Sequence, residues 1–193
     1  MPVSTLKRVF SSVLPVKSCS CPRVSTHKED REKLYSYRGF VATGVVGGSW
    51  YDHTGAAANH LCLTRTPEFD NEPVPKYYAA LYGAEYEWIS GHHDHDLPCS
   101  VCRAPQSTTI MVPATHTCPP GWTTQYTGHL AAGHYGHKAA TEYVCLDGTP
   151  EDADGGHENK NGNLFYYTIT QCGSLPCPPY VDNKVVLCAV CSK

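Results

Sequence analysis

The fold is decided by a cysteine-anchored pattern that the chain contains twice. It reads GGSWYDHTGAAANHLCL (47–63) followed by DLPCSVC (96–102), and later GWTTQYTGHLAAGHYGHKAATEYVCLD (121–147) followed by VVLCAVC (185–191). Equivalent cysteines are 83 residues apart in the first string and 89 in the second. A repeat of this length indicates a duplicated module, since the repeats of solenoids are shorter.

We therefore expect a first module at 21–102 and a second at 118–191, after an N-terminal segment 1–20 that we expect to be flexible. The connector 103–117 (RAPQSTTIMVPATHT) has a proline near each end and β-formers in the middle, which predicts a short extended segment. The predicted class is mostly β: a tandem of two homologous, disulfide-bonded β-rich modules with long loops.

An alternating run in the first module predicts a strand with an aromatic face. In a strand, one face would carry the aromatic residues Tyr78, Tyr82, Tyr86 and Trp88. Glu85 and Glu87 would lie on the opposite face. We interpret the aromatic face as core. The alternative is that these rings anchor an interface with another chain.

The composition excludes several classes of protein. Only 17% of the 193 residues are charged, and the net charge of −3 creates no field that would hold phosphates, so we expect no nucleic-acid partner. No run of about 18 apolar residues and no Gly-X-Y tract occurs, so the sequence predicts neither a membrane span nor a collagen triple helix. The first residues, MPVSTLKRVFSSVLPVKS, lack the apolar stretch of a secretory signal.

The 11 cysteines predict an oxidised, exported protein. Because this number is odd, at least one thiol has no partner within the chain, and we expect Cys19 to be that free or interchain thiol. The strings CSVC (99–102) and CAVC (188–191) could also be zinc knuckles or redox-active pairs. We favour structural disulfides, because Cys99 and Cys102 would point to opposite faces of a strand and so reach different partners.

Several short motifs also follow one another in a fixed order between residues 98 and 191. It comprises PCSVCRAP (98–105), PATHTCPPGW (113–122), QYTGH (125–129) and EYVCLD (142–147), then a Tyr-rich strand, a close cysteine pair and a final C-x-V-C. With these motifs, residues 21–191 resemble the carboxy-terminal non-collagenous domain of type IV collagen. The likeness is greater to the divergent form of that domain in short-chain, spongin-like collagens.

The resemblance implies a tandem of two β-rich subdomains that works by association, with three copies meeting at the end of a collagen helix. It also implies a set of five disulfides: Cys21–Cys102, Cys62–Cys99, Cys118–Cys191, Cys145–Cys188 and Cys172–Cys177. The expected partners are other copies of the chain, with a trimer as one expected form, and components of the extracellular matrix.

The histidines are the candidates for binding an ion. In GHHDHD (91–96), an extended segment would put His93 and His95 on one face and His92, Asp94 and Asp96 on the other, so that either face could hold a divalent cation. A second candidate group is His129, His134 and His137. The alternatives are solvated loops and a glycan-binding network, and no other cofactor is expected.

Segment 147–162 (DGTPEDADGGHENKNG) fails the EF-hand pattern and is predicted to be an exposed loop. No hydrolase, zinc-protease or phosphate-loop motif occurs, so we expect no enzyme. The leading hypothesis is a secreted extracellular-matrix module that associates with itself or with matrix partners. The alternative hypothesis is a secreted, lectin-like protein that binds a glycan or metal through the histidine-rich loops.

Overall fold

The computed structural model describes residues 40–55, 57–89, 91–102 and 106–193. This part of the chain is mostly β and contains no helix, and hence none that is long and apolar enough to cross a membrane. Its nine strands are β1 (Phe40–Gly48), β2 (Leu61–Thr64), β3 (Tyr82–Tyr86), β4 (Pro98–Cys102), β5 (Thr109–Pro113), β6 (Thr123–Ala132), β7 (Val144–Asp147), β8 (Asn163–Tyr167) and β9 (Leu187–Ser192). The predicted N-terminal segment 1–20 lies outside the described residues.

One sheet runs through all nine strands. The main order is β2-β1-β3-β8-β6-β9-β5, with β4 also paired to β1 and β7 to β6. The β3–β8 pair is parallel and the other strand pairs are antiparallel. Strand β5, within the predicted connector, pairs with β9 at the end of the sheet.

Strands β1 and β6 are each the central strand of a group of four. Gly44 of β1 pairs with Thr64 of β2 on one edge and with Cys99 of β4 on the other. In β6, Gly128 pairs with Asp147 of β7 and with Cys188 of β9. The far ends of β1 and β6 pair with β3 and β8, whose parallel pairing joins the two groups into one sheet.

Disulfides close the strands over these two glycines. In a flat sheet, the strands on either side of a central strand are about 9–10 Å apart. The Cα atoms of Cys62 and Cys99 are 5.7 Å apart, and those of Cys145 and Cys188 are also 5.7 Å apart. The two outer strands of each group therefore bend toward each other over the central strand.

This closure leaves no space for a side chain on the central glycine. A Cβ atom on Gly44 would lie 1.8 Å from the backbone oxygen of Leu63, and one on Gly128 would lie 1.6 Å from that of Leu146. Both obstacles are main-chain atoms, which a rotamer change cannot move away. Glycine is therefore required at both positions for steric reasons.

The sheet encloses a core built from both ends of the chain. One buried cluster combines side chains from before and after the connector: Val46, Ala84, Tyr86, Ile89, Leu97, Cys99, Ala131, Val144, Leu146 and Phe165. A second cluster contains Tyr126, Leu130, Cys145, Cys188 and Val190. Because the first cluster spans the connector, the two ends of the described chain bury each other's apolar surface.

The described residues form four disulfides, and each is a pair that the resemblance implies: Cys62–Cys99, Cys118–Cys191, Cys145–Cys188 and Cys172–Cys177. They are consistent with an extracellular or secreted protein. The implied fifth pair needs Cys21, which lies outside the described residues, as do Cys19 and the side chain of Cys102.

The prediction of one strand from Tyr78 to Trp88 is wrong. Strand β3 covers only Tyr82–Tyr86: residues 78–81 before it are exposed and form no strand, and Trp88 after it has a φ of 54° and turns the chain. Tyr86 is buried as expected for core, but Tyr78 and Trp88 are 71% and 78% exposed. The glutamates on the other face, Glu85 and Glu87, are both buried.

We predict that Gly128→Ala lowers the free energy of unfolding by at least about 2 kcal/mol, because the methyl group meets fixed backbone. Gly83→Ala is the matched control in β3, since a Cβ there has no atom within 4 Å. We expect the control to change stability by less than about 0.5 kcal/mol. Urea unfolding of the oxidised variants measures both, and equal stabilities would contradict the close approach at Gly128.

Candidate functional site

The turn after β3 carries five of the predicted ion ligands. This turn is not extended, because Asp94 has a φ of 62° and the His95 N–H donates to the His92 carbonyl at 3.3 Å. The predicted division into two faces is therefore wrong. His92 and His95 lie together, and His93 and Asp94 belong to a different group of potential ligands.

A carboxylate from a distant loop joins the first group. Asp152 Oδ1 lies 2.6 Å from His92 Nδ1 in a hydrogen bond, across 60 residues of sequence. Its Oδ2 lies 2.9 Å from His95 Nδ1, yet that nitrogen is buried and forms no hydrogen bond. The three side chains are 22–24% exposed, so solvent reaches the group. We call His92, His95 and Asp152 the histidine–aspartate group.

The backbone on both sides of Asp152 is fixed. The buried Tyr86 hydroxyl donates to the Glu151 carbonyl at 3.0 Å, and the Ala153 N–H donates to the Asp96 carbonyl at 2.9 Å. Burial raises the pKa of Tyr86, so its hydroxyl stays protonated and remains a donor. These bonds hold Asp152 against the turn that carries the two histidines.

Segment 147–162 is therefore not simply an exposed loop. Ala153 and Gly156 are buried and Asp152 is partly buried, which contradicts that prediction, although 157–160 are exposed. The Asp96 N–H donates to the Gly156 carbonyl at 2.9 Å. Asp96 belongs to neither ligand group, and its carboxylate lies 4.0 Å from Lys160 Nζ.

A buried glutamate also fixes this loop. The two carboxylate oxygens of Glu85 accept the backbone N–H groups of Lys160 at 2.8 Å and Asn161 at 3.0 Å. Burial raises the pKa of Glu85, and these two hydrogen bonds oppose the rise because they stabilise the ionised form. The carboxyl group of Glu85, on the face of β3 opposite Tyr86, thus anchors the loop that supplies Asp152.

The second group of potential ligands is Glu87, His93 and Asp94. His93 Nδ1 lies 3.2 Å from Glu87 Oε2 and 3.6 Å from Asp94 Oδ1, and it also accepts the backbone N–H of Trp88 at 3.3 Å. Burial raises the pKa of Glu87, and the charge of Asp94 raises it further. The neutral form of Glu87 is therefore favoured more than in water.

The other predicted histidines pack against tyrosine rings. His129 contacts Tyr167 with ring centroids 4.7 Å apart, and His134 contacts Tyr166 at 5.2 Å. His137 lies 5.2 Å from His134, and burial lowers its pKa. Within the described residues, none of the three belongs to a group close enough to share an ion.

Sequence reasoning missed two carboxylates of the ligand groups, Asp152 and Glu87, and one buried histidine, His60. Asp152 stands in an acidic, glycine-rich stretch with no spacing relation to the histidines, and Glu87 appeared only as the polar side of a strand. His60 was not singled out, although it is buried against Phe165 with ring centroids 4.5 Å apart. Both ring nitrogens of His60 are buried without hydrogen bonds, and burial lowers its pKa from the ordinary 6.5.

The fold and the site together define a mostly β, disulfide-bonded chain with a solvent-accessible histidine–aspartate group beside its sheet. No protein-family model and no solved structure matches the chain.

We predict that His60 makes the protein less stable as the pH falls. Below 6.5 the unfolded state binds a proton at this histidine that the folded state resists, so the stability present at pH 7 is lost on acidification. The loss from this group is at most about 1.4 kcal/mol per pH unit. His60→Phe should make the free energy of unfolding fall less steeply from pH 7 to pH 5.

The matched control for this prediction is His116→Phe, which replaces an exposed histidine. Urea unfolding at several pH values gives the slope for each protein. The slope of the control should equal that of the unsubstituted chain. If His60→Phe has that same slope, the buried histidine does not resist protonation.

Proposed function

We propose that this chain is a secreted, disulfide-bonded module of the extracellular matrix that acts non-enzymatically, by binding other copies of itself or matrix components. The proposal rests on the motif order shared with the collagen carboxy-terminal domain. The four disulfides support it, because oxidised cysteines are typical of secreted proteins.

We also propose that the chain is a tandem of two homologous modules, at 21–102 and 118–191. The correspondence of β1 and β6 is the observation that carries this. Each pairs with three strands, each has a sterically required glycine opposite a cysteine, and each has a bulge at the same step, after Phe40 and after Thr124. A duplicated unit accounts for the shared register more simply than chance does.

The surface of the chain offers a segment suited to association. Residues 65–81, between β2 and β3, are all exposed and form no strand; we call them the arm. The arm contains Phe69 (86% exposed), Val74 (83%), Tyr77 (83%), Tyr78 (71%) and Leu81 (52%). So many exposed apolar side chains in one short segment are typical of an interaction site.

A second copy of the chain is the partner that we propose for the arm. Aromatic side chains anchor protein–protein interfaces because they bury large apolar area at little cost in conformational entropy. Prolines 67, 73 and 75 of the arm cannot donate backbone hydrogen bonds. Its contribution to an interface would therefore come mainly from side chains.

We predict that the oxidised chain has the mass of an oligomer in solution, and not that of one 21.1 kDa chain, with a trimer as the leading expectation. Replacing Tyr77 and Tyr78 together by serine should shift the protein toward the monomer by at least about tenfold in dissociation constant. Light scattering after size-exclusion chromatography measures the mass across a concentration series.

Tyr135→Ser is the matched control, because Tyr135 is 96% exposed but lies outside the arm. It should leave the mass unchanged. A chain that is monomeric at every concentration would contradict self-association. A multimer that is unaffected by the double substitution would contradict the role of the arm.

A further inference from the structure

We propose that His92, His95 and Asp152 bind one divalent transition-metal ion, of which Zn²⁺ is the representative. Two imidazole nitrogens and one carboxylate oxygen form a common protein donor set for zinc, with the fourth position open to water or another ligand. In the histidine–aspartate group, the candidate donor atoms all lie within 4.8 Å of one another.

The donors approach one another through the atoms that would bind the ion. Both histidines direct Nδ1 toward the same carboxylate, at 2.6 and 2.9 Å. Bonds of about 2.0–2.1 Å in a tetrahedron put neighbouring donors about 3.3 Å apart. Binding therefore requires the three side chains to open by about half an ångström, which partly exposed side chains can do.

The His95 nitrogen favours an ion over a purely hydrogen-bonded group. His92 Nδ1 satisfies Asp152 Oδ1 with a hydrogen bond, but His95 Nδ1 is buried beside Oδ2 without one. A buried polar atom that forms no hydrogen bond destabilises the folded state. A metal ion between the three donors would give this nitrogen a directed bond, which its 2.9 Å contact with Asp152 Oδ2 does not provide.

The backbone holds the donors in place before any ion arrives. Asp152 is flanked by the hydrogen bonds from Tyr86 to Glu151 and from Ala153 to Asp96. The turn is fixed by the Tyr86 N–H, which donates to the His95 carbonyl at 2.9 Å. Such support lowers the entropy that is lost when an ion binds.

The second group of potential ligands is less suited to an ion. The lone pair of His93 Nδ1 already accepts the Trp88 N–H, so a metal would have to displace a backbone hydrogen bond. Glu87 is buried, and burial raises its pKa, which opposes the ionised form that a metal ligand needs. The proposal therefore selects the histidine–aspartate group.

An ion at this position would connect two parts of the chain. It would join the turn after β3 to the loop after β7, which are already linked by backbone hydrogen bonds such as that from Asp96 to Gly156. We expect zinc to stabilise the folded state, since it would bind the folded chain and not the separated loops of the unfolded one. This inference does not depend on the proposed association.

The test is calorimetric titration of the oxidised, metal-free full chain, without a polyhistidine tag, with zinc chloride at pH 7.5. We expect one zinc ion per chain and a higher melting temperature with zinc. His95→Ala and Asp152→Asn should each weaken binding by at least about tenfold. At pH 5.5 binding should also weaken, because protonated histidines cannot bind a metal.

His116→Ala, at an exposed histidine elsewhere, and His93→Ala, in the second group, should bind zinc as the unsubstituted chain does. The melting temperature of each variant without zinc shows that it is folded. The proposal is overturned if no zinc binds at about 1 mM. It is also overturned if His95→Ala and Asp152→Asn bind zinc as tightly as the unsubstituted chain does. The same holds if His93→Ala, among the variants, is the one that abolishes binding.

Discussion

The covalent closure of strands over a central glycine is the constraint on which the rest of the structure depends. Cys62–Cys99 pulls β2 and β4 together over β1, and Cys145–Cys188 does the same for β7 and β9 over β6. These bonds join residues 37 and 43 positions apart, so each removes considerable conformational freedom from the unfolded chain. The steric need for glycine follows from the same closure.

The position of the histidine–aspartate group depends on contacts of strand β3 and of loop 147–162. The Asp96 N–H donates to the Gly156 carbonyl and the Ala153 N–H donates to the Asp96 carbonyl, and these two bonds hold the turn after β3 against loop 147–162. Glu85 and Tyr86, on opposite faces of β3, each bind backbone of that loop. One short strand thus fixes both parts of the group.

The β class could be predicted because strand alternation is a property of local sequence. The ligand grouping could not, because it depends on contacts between distant segments. His92 meets Asp152 across 60 residues, and the left-handed conformation of Asp94 changes which histidines lie together. The burial of Glu85 could not be predicted either. Its partners are backbone N–H groups, which every residue except proline has, so no sequence pattern indicates them.

The most direct test of the account is peptide mapping of the native protein, with free thiols blocked before digestion and no reductant added. The account predicts that Cys62 is recovered linked to Cys99, and Cys145 linked to Cys188. Recovery of these four cysteines as blocked, unlinked thiols would contradict it, because no covalent bond would then close the outer strands over Gly44 and Gly128.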